Sequence, residues 1–280
     1  LPILETPETF EQMIHPNDQK TGIQYRLLPM TRSMLAELLT PEQVSHHLEI
    51  IEKELTFPDG VRLMNKPANY RGGVSTNFKR AEQAANFGRE IGLQYVHAHI
   101  RYTEAMAEIG QRDKTWQALM QINPVQLKEV VHNAELRQAN AYFSSSDGDF
   151  KTRYESQENF GKLKDGSIGV KGGWRIYSSG PGIYLNQLIT AVLGIRQKAQ
   201  SVVFDPMLPE KLSGLTLTYQ LFDKPVTYKF YPNQSAKIVI DGQEVPFKFE
   251  ENPYREGGIE VQKDEVLSLL NEASVIEIYH

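Results

Sequence analysis

The sequence predicts an α+β chain in two parts, a helical part over residues 1–200 and a small antiparallel β-sandwich over 201–280. Two observations predict it. Up to Ile195, apolar residues recur at helical spacing in one short segment after another, each ended by a turn signal. From Ser201 onward the pattern changes to alternating, β-branched runs punctuated by turn residues such as Asp241-Gly242.

Thr6-Pro7-Glu8 reads as the cap of a short helix to about Ile14, broken by His15-Pro16-Asn17-Asp18. Thr31 reads as the cap of a helix with Met34, Leu35 and Leu38 on one face. Thr40-Pro41-Glu42-Gln43 combines an N-cap hydroxyl, proline at the first helical position and a capping-box glutamine, opening a helix that carries Val44, Leu48, Ile51 and Leu55. Phe57-Pro58-Asp59-Gly60 is a turn, and 61–77 is a loop rich in turn residues. Helices follow over 78–90, around Tyr102, Ala105, Met106 and Ile109 to a stop at Gly110, around Trp116, Leu119, Met120 and Ile122, and from Val125 to about Val131. Short helices joined by short turns suggest antiparallel hairpins, as in bundles or toroids.

The segment 142–150 is a loop by composition, and about Lys151 to Leu163 is a helix. Gly172 to Gly182 is a glycine-rich turn running into Ile183–Ile195. Leu185, Leu188, Ile189, Val192 and Leu193 lie there at helical spacing, so a buried helix is expected, with Pro181 at its first position. Strands are expected at 202–204, 215–219, 226–230, 238–240, 245–249 and 275–278, with a short helix from Asp264 to Leu270 and turns at Asp223-Lys224-Pro225 and Asp241-Gly242.

The 280 residues carry a net charge of −5 and no cysteine. A mildly acidic chain without a basic stripe is a poor nucleic-acid binder. Without cysteine there is no disulfide framework or thiol nucleophile, and a cytoplasmic location is weakly favoured. No apolar run approaches a membrane span. The start at Leu1 has neither an initiator Met nor a signal-peptide pattern and looks like the middle of a longer gene.

Three polar clusters could carry chemistry. Ser178-Ser179-Gly180 heads a helix whose open N-terminus would present unpaired N–H groups to an anion, although an ordinary capped helix explains the same residues. His97 and Arg101, four apart, share a helical face suited to an oxyanion such as phosphate, whereas His99 points elsewhere; ordinary packing is the alternative. Asp147 or Asp149 with Glu155 could form the acid/base pair of a self-sufficient glycosidase, or Asp147 and Asp149 could simply stabilise a solvated turn. A metal site of His97 and His99 with Asp147 or Asp149 is disfavoured because no ligand spacing supports it. His46 and His47 diverge on their helix and read as surface residues.

Gly88 to His97 resembles the Arg-Glu-Asn-Gly-Gly-x-Phe-x-His segment of glycoside hydrolase family 94 phosphorylases, with isoleucine, leucine and tyrosine at three of its positions. Leu193-Gly194-Ile195-Arg196 and Phe204-Asp205-Pro206-Met207-Leu208-Pro209 are similar to that family's approach to its C-terminal domain. With Ser144-Ser145-Ser146-Asp147-Gly148-Asp149-Phe150 they point to its β-1,2-glucan branch of oligoglucan phosphorylases and cyclic glucan synthases.

The resemblance implies the C-terminal part of an (α/α)6 barrel followed by a jelly-roll-like antiparallel β-sandwich. It implies inverting phosphorolysis of a β-linked gluco-oligosaccharide to α-glucose 1-phosphate, with inorganic phosphate as co-substrate and no cofactor. Carried over position by position, it implies phosphate binding by His97, Ser179 and Gly180, while the family's phosphate arginine has no identifiable counterpart. The general acid lies in an Asp-Trp-Asn-Asp-like motif that this chain lacks, since its tryptophans, Trp116 and Trp174, follow Thr115 and Gly173. No catalytic residue is therefore expected here, the acid is expected upstream of Leu1, and the piece alone is expected to be inactive, a non-catalytic carbohydrate-binding fragment being a further alternative. Tyr70, Tyr95, Tyr154 and Tyr177 are candidates to line glucose subsites. A piece of a toroid is expected to self-associate as a homo-oligomer or to need the rest of its parent enzyme.

Overall fold

The computed structural model describes residues 2–6, 9–12, 14–19, 21–67, 92–123, 125–135, 145–173 and 179–280. The helix expected over 78–90, most of the 61–77 loop, and Tyr70, Trp174, Tyr177 and Ser178 lie outside them. The chain divides into two compact units, Leu1–Tyr102 with Ala118–Ile183 and Thr103–Gln117 with Tyr184–His280.

The first unit opens with an antiparallel hairpin, β1 (Pro2–Thr6) and β2 (Thr9–Gln12), where a helix was expected. Thr-Pro is as good a turn signal as a helix cap, and an isolated helix of so few residues is marginal in water. Helix α1 (Leu27–Leu35) starts four residues before Thr31. Its start is set by tertiary pairing: residues 24–27 lie against 63–65, with an Arg26–Met64 bridge and Leu27 N donating to Leu63 O at 2.9 Å. Thr31 instead sits inside the helix and donates back to Leu27 O, and Leu38 lies beyond the helix, 75% exposed.

Helix α2 (Pro41–Ile50) has the predicted capping box, with Thr40 and Gln43 exchanging side chain-to-backbone bonds, and it continues as a π turn over Ile51–Leu55. The hairpin β3 (Thr56–Phe57) and β4 (Gly60–Val61) turns at Pro58-Asp59 as expected. A three-stranded antiparallel sheet joins β5 (Gln94–Tyr95), β6 (Ser145–Gly148) and β7 (Val170–Gly173). Composition marked β6 as a loop, but pairing on both edges overrides its weak strand propensity. Helices α3 (Val96–Glu108), α4 (Arg112–Gln121), α5 (Leu127–Val130) and α6 (Arg153–Asn159, with a 3-10 extension to Leu163) fall where apolar spacing placed them.

Helix α7 (Ser179–Gln187), continued by a π turn over Leu188–Val192, begins two residues before Pro181, which is thus its third residue. The helix is less buried than its composition implies. Leu185 is 58% exposed, whereas Gly180 and Gln187, seven apart on one face, are buried.

In the second unit, β8 (Ile195–Gln197) and β9 (Ser201–Phe204) belong to a four-stranded sheet. The unit also contains β10 (Leu215–Leu221), β11 (Lys224–Tyr231), β12 (Lys237–Ile240), β13 (Gln243–Val245), β14 (Lys248–Phe249), β15 (Ile259–Gln262), α8 (Lys263–Leu269) and β16 (Val275–Tyr279). The strand orders are β14-β15-β9-β8 and β10-β11-β16-β12-β13, antiparallel except for the parallel β11–β16 pair. Pro246 splits the strand expected over 245–249, since proline has no N–H for the ladder. Phe222 and Asp223, both at positive φ, make the turn expected one residue later. Alternation puts Val226, Tyr228 and Phe230 of β11 inside with Ile238, Ile240, Ile276 and Ile278, and Tyr228 meets Phe204 of the other sheet at 6.4 Å between ring centres.

The two motifs flanking β8 and β9 are architectural. Ile195 pairs with Phe204 and Arg196 with Val203, which brings Gly194 onto Asp205. Buried Asp205 accepts two hydrogen bonds at 2.8 Å from Arg255 and one at 3.0 Å from Arg196, whose other arm reaches Glu250. Burial pushes the Asp205 carboxyl up, but the two guanidiniums outweigh it and hold it below the usual carboxylate range. Arg255 Nε also donates to Ala107 O and Glu108 O at 3.1 and 3.0 Å, closing the last turn of α3.

Gly194 has φ +69°, and a Cβ there would lie 2.1 Å from the Asp205 carbonyl. Gly194→Ala should therefore destabilise the β-rich unit by ~3 kcal/mol or more. Urea unfolding followed by far-UV circular dichroism checks this; a change under ~1 kcal/mol would mean that the turn relaxes freely.

Candidate functional site

The three-stranded sheet collects the segments that the sequence singles out. Tyr95 and Gly173 both stand opposite Ser145, and Gln94 and Gly172 both stand opposite Ser146. Because β5 and β7 are each antiparallel to β6, they run parallel to one another and leave the sheet at the same end. The start of α3, with His97 on its second residue, and the segment leading to Ser179 therefore depart from one row of the sheet.

His97 stacks on Tyr95, with ring centres 5.5 Å apart and planes 14° apart. Its Nε2 is buried and has no hydrogen-bond partner among the described residues. Partial burial, reinforced by the charge of Arg101 one turn on, pulls its pKa below the usual histidine value. A neutral imidazole with an unused ring nitrogen and a guanidinium on the same face can donate to an oxyanion. Gly180 is buried in the first turn of α7, with Ser179 at the helix start.

His99 has an internal role. Its Nδ1 accepts from Val61 N at 3.1 Å and its Nε2 lies 2.7 Å from Ala118 O, which fixes the tautomer with the proton on Nε2. A Cβ at Gly60, φ +118°, would come within 2.6 Å of this ring and 3.3 Å of the buried Gln94 amide, so only glycine lets the β3–β4 hairpin seat against β5 and α3. Burial pushes the His99 pKa down to about 4.

No local pattern marks the buried arginine that lies next to β6. Arg62 is fully buried; it clamps Asp59 through two bonds of 3.0 and 3.2 Å, donates to Gly92 O at 2.5 Å, and lies over the rings of Phe57 and Phe160 at 4.8 and 5.7 Å. Asp147, on β6, is 4.0 Å from the same guanidinium. Burial pushes the Asp147 carboxyl up to about 7; the attraction of Arg62 and the hydrogen bond from Gly148 N oppose this without cancelling it, and the Asp59 charge adds a smaller upward push.

Asp149 pairs with Lys171 at 2.9 Å, and Glu155 accepts from Lys151 N at 2.8 Å while Thr152 caps the same helix start. Of the three carboxylates proposed as an acid/base set, two thus serve local structure. Tyr154 is 56% exposed, and His46, on α2, is largely exposed beside Glu49.

Residues 194–279 match the family described as Glycoside phosphorylase C-terminal domain. Over 263 residues the chain is 54% identical to 1,2-beta-oligoglucan phosphorylase of Listeria innocua serovar 6a, which covers 94% of this chain and 24% of that protein. It is also 25% identical over 126 residues to Cyclic beta-(1,2)-glucan synthase NdvB of Rhizobium meliloti, covering 45% of this chain and 4% of that protein. The chain thus spans about a quarter of the length of the first of these relatives, and the similarity agrees with the resemblance carried by the His97 and Leu193–Pro209 motifs.

Of the shifted groups, Asp147 and His99 give opposite pH slopes. Asp147 holds a proton in the folded chain between about pH 4 and 7 that the unfolded chain has lost, so its contribution falls as pH rises through that window. His99 contributes fully above about pH 6.5 and loses its contribution as pH falls to about 4. Asp147→Asn should accordingly gain on wild type as pH rises from 4 to 8, by on the order of 1–2 kcal/mol at the upper end. Paired denaturant titrations at several pH values measure it; a pH-independent difference would show that the Asp147 carboxyl is not shifted.

Proposed function

We propose that this chain is part of an inverting β-1,2-oligoglucan phosphorylase and supplies the phosphate-binding half of its site. The 54% identity over nearly the whole chain carries this reading. Inorganic phosphate, held by His97, Ser179 and Gly180, attacks the anomeric carbon of a β-linked glucosyl unit. The glycosidic oxygen receives its proton from an acid outside this chain, and the products are α-glucose 1-phosphate and a shortened glucan. Phosphate is a co-substrate and no cofactor takes part.

The sheet register supports the set, since β5 and β7 deliver His97 and the approach to Ser179 from one row. A neutral His97 with an unused Nε2 suits a donor to the phosphate oxygens. In this proposal the helical segments of 1–200 are the C-terminal part of an (α/α)6 barrel, residues 201–280 are the jelly-roll-like domain that follows it, and the enzyme works in the cytoplasm. No helix among the described residues is long and apolar enough to cross a membrane.

The intact protein should release α-glucose 1-phosphate from sophorose-type oligomers only when phosphate is present. His97→Ala and Ser179→Ala should each raise the KM for phosphate at least ~10-fold and lower kcat/KM by roughly 10²-fold. Release of free glucose at the same rate without phosphate would overturn the assignment.

A further inference from the structure

Tyr95, whose ring stacks on His97, also lines a cavity of about 510 Å³ together with Arg26, Leu28, Pro29, Arg32, Leu63 and Met64. Backbone bonds fix three of its walls to one another. Leu27 N donates to Leu63 O at 2.9 Å, Asn65 N to Tyr25 O at 3.2 Å, and Leu63 N to Leu93 O at 3.2 Å. Asn65 Oδ1 accepts from Gln24 N and Tyr25 N at 3.0 and 3.2 Å, tying the Arg26 strand to the Met64 strand again. The fourth wall is α1, on which Leu28 and Pro29 share a face with Arg32 through i+4 and i+3 spacing.

The lining chemistry is one-sided. Two guanidiniums bring donors and no acceptors, and among the described residues no carboxylate or amide side chain borders the cavity, the acceptors there being the Tyr95 hydroxyl and, weakly, the Met64 sulfur. Arg62, Arg112, Arg196 and Arg255 are all bound to protein oxygens, whereas neither guanidinium here has a hydrogen-bond or ion-pair partner among the described residues. An uncharged polyol offers the two guanidiniums no negative charge to pair with. An oxyanion matches them, because a guanidinium fork fits phosphate or carboxylate geometry. The apolar walls and the tyrosine ring then suit a compact ring attached to that anion better than the bare anion.

We infer that this cavity binds a sugar phosphate monoester, with the phosphate between Arg26 and Arg32 and the ring against Tyr95 and Met64. It is an anion site additional to the one at His97 and Ser179, and it stands whether or not that site supports phosphorolysis. Since Tyr95 forms part of the cavity and stacks on His97, a ligand there touches the residue that orients the imidazole.

Calorimetric titration of the 280-residue chain with α-glucose 1-phosphate, inorganic phosphate and glucose tests this, using wild type, Arg26→Gln, Arg32→Gln and Ser179→Ala. The expected results are tighter binding of the ester than of inorganic phosphate, no binding of glucose, and at least ~10-fold weaker ester binding in each arginine variant. Ser179→Ala separates the two anion sites, since the component of ester binding that Arg26→Gln and Arg32→Gln remove should persist in it; thermal melts without ligand should be unchanged in Arg32→Gln, Arg32 being exposed on α1. The inference fails if the ester does not bind, if both arginine variants bind it like wild type, or if glucose binds as tightly as its phosphate. It fails too if Ser179→Ala abolishes binding while Arg32→Gln does not, which would place the ligand at the His97 site. Equal affinity for inorganic phosphate would overturn the ring assignment.

Discussion

A fully buried guanidinium is the constraint on which the first unit rests. Arg62 cannot be left unpaired in the interior, and removing a partner from a buried charge typically costs about 3–5 kcal/mol. Asp59 therefore has to stay within the tight β3–β4 turn, Gly92 has to keep its carbonyl at the start of the approach to β5, and Phe57 and Phe160 have to hold their faces against the charge. Together these partners fix where β5 begins. From β5 follow Tyr95, the start of α3 and the position of His97, two residues on.

The second unit is built around the opposite charge. Asp205 is a buried carboxylate whose penalty is offset by Arg255 and Arg196, and Arg255 extends the network to the end of α3. This gives a physical account of the Leu193-Gly194-Ile195-Arg196 and Phe204-Asp205-Pro206 motifs. The glycine permits the backbone approach, the arginine supplies the counter-charge, and Arg112 binds the Pro206 carbonyl. Within the second unit these motifs solve a folding problem.

Whether a signal is local decides what was legible in the sequence. The strands of the second unit could be read because alternation is a local signal, as could the capping box at Thr40 and the helix stop at Gly110. The N-terminal hairpin, the start of α1 and strand β6 could not, since each is decided by pairing with residues that local spacing does not reveal. His97 and Ser179 were found through flanking motifs, whereas Arg62, Arg26 and Arg32 had no signal. An arginine beside apolar residues reads the same whether it is buried on an aspartate, as Arg62 is, or lines a cavity, as Arg26 is.

The electrostatics around His97 bear on how an anion would be held and released. Burial and Arg101 lower the His97 pKa and favour the neutral imidazole, so in the proposed reading an arriving phosphate would meet a hydrogen-bond donor at His97 rather than a second full cation. A dianion brought alongside favours the imidazolium and thereby raises the His97 pKa, so proton uptake and anion binding reinforce each other. A histidine that is neutral in the empty site and takes up charge as the anion arrives avoids an unpaired, partly buried cation beforehand and strengthens the hold on the anion afterwards. In the proposed reading the depressed histidine positions phosphate, and the proton for the leaving glucan would come from an acid with a raised pKa outside this chain.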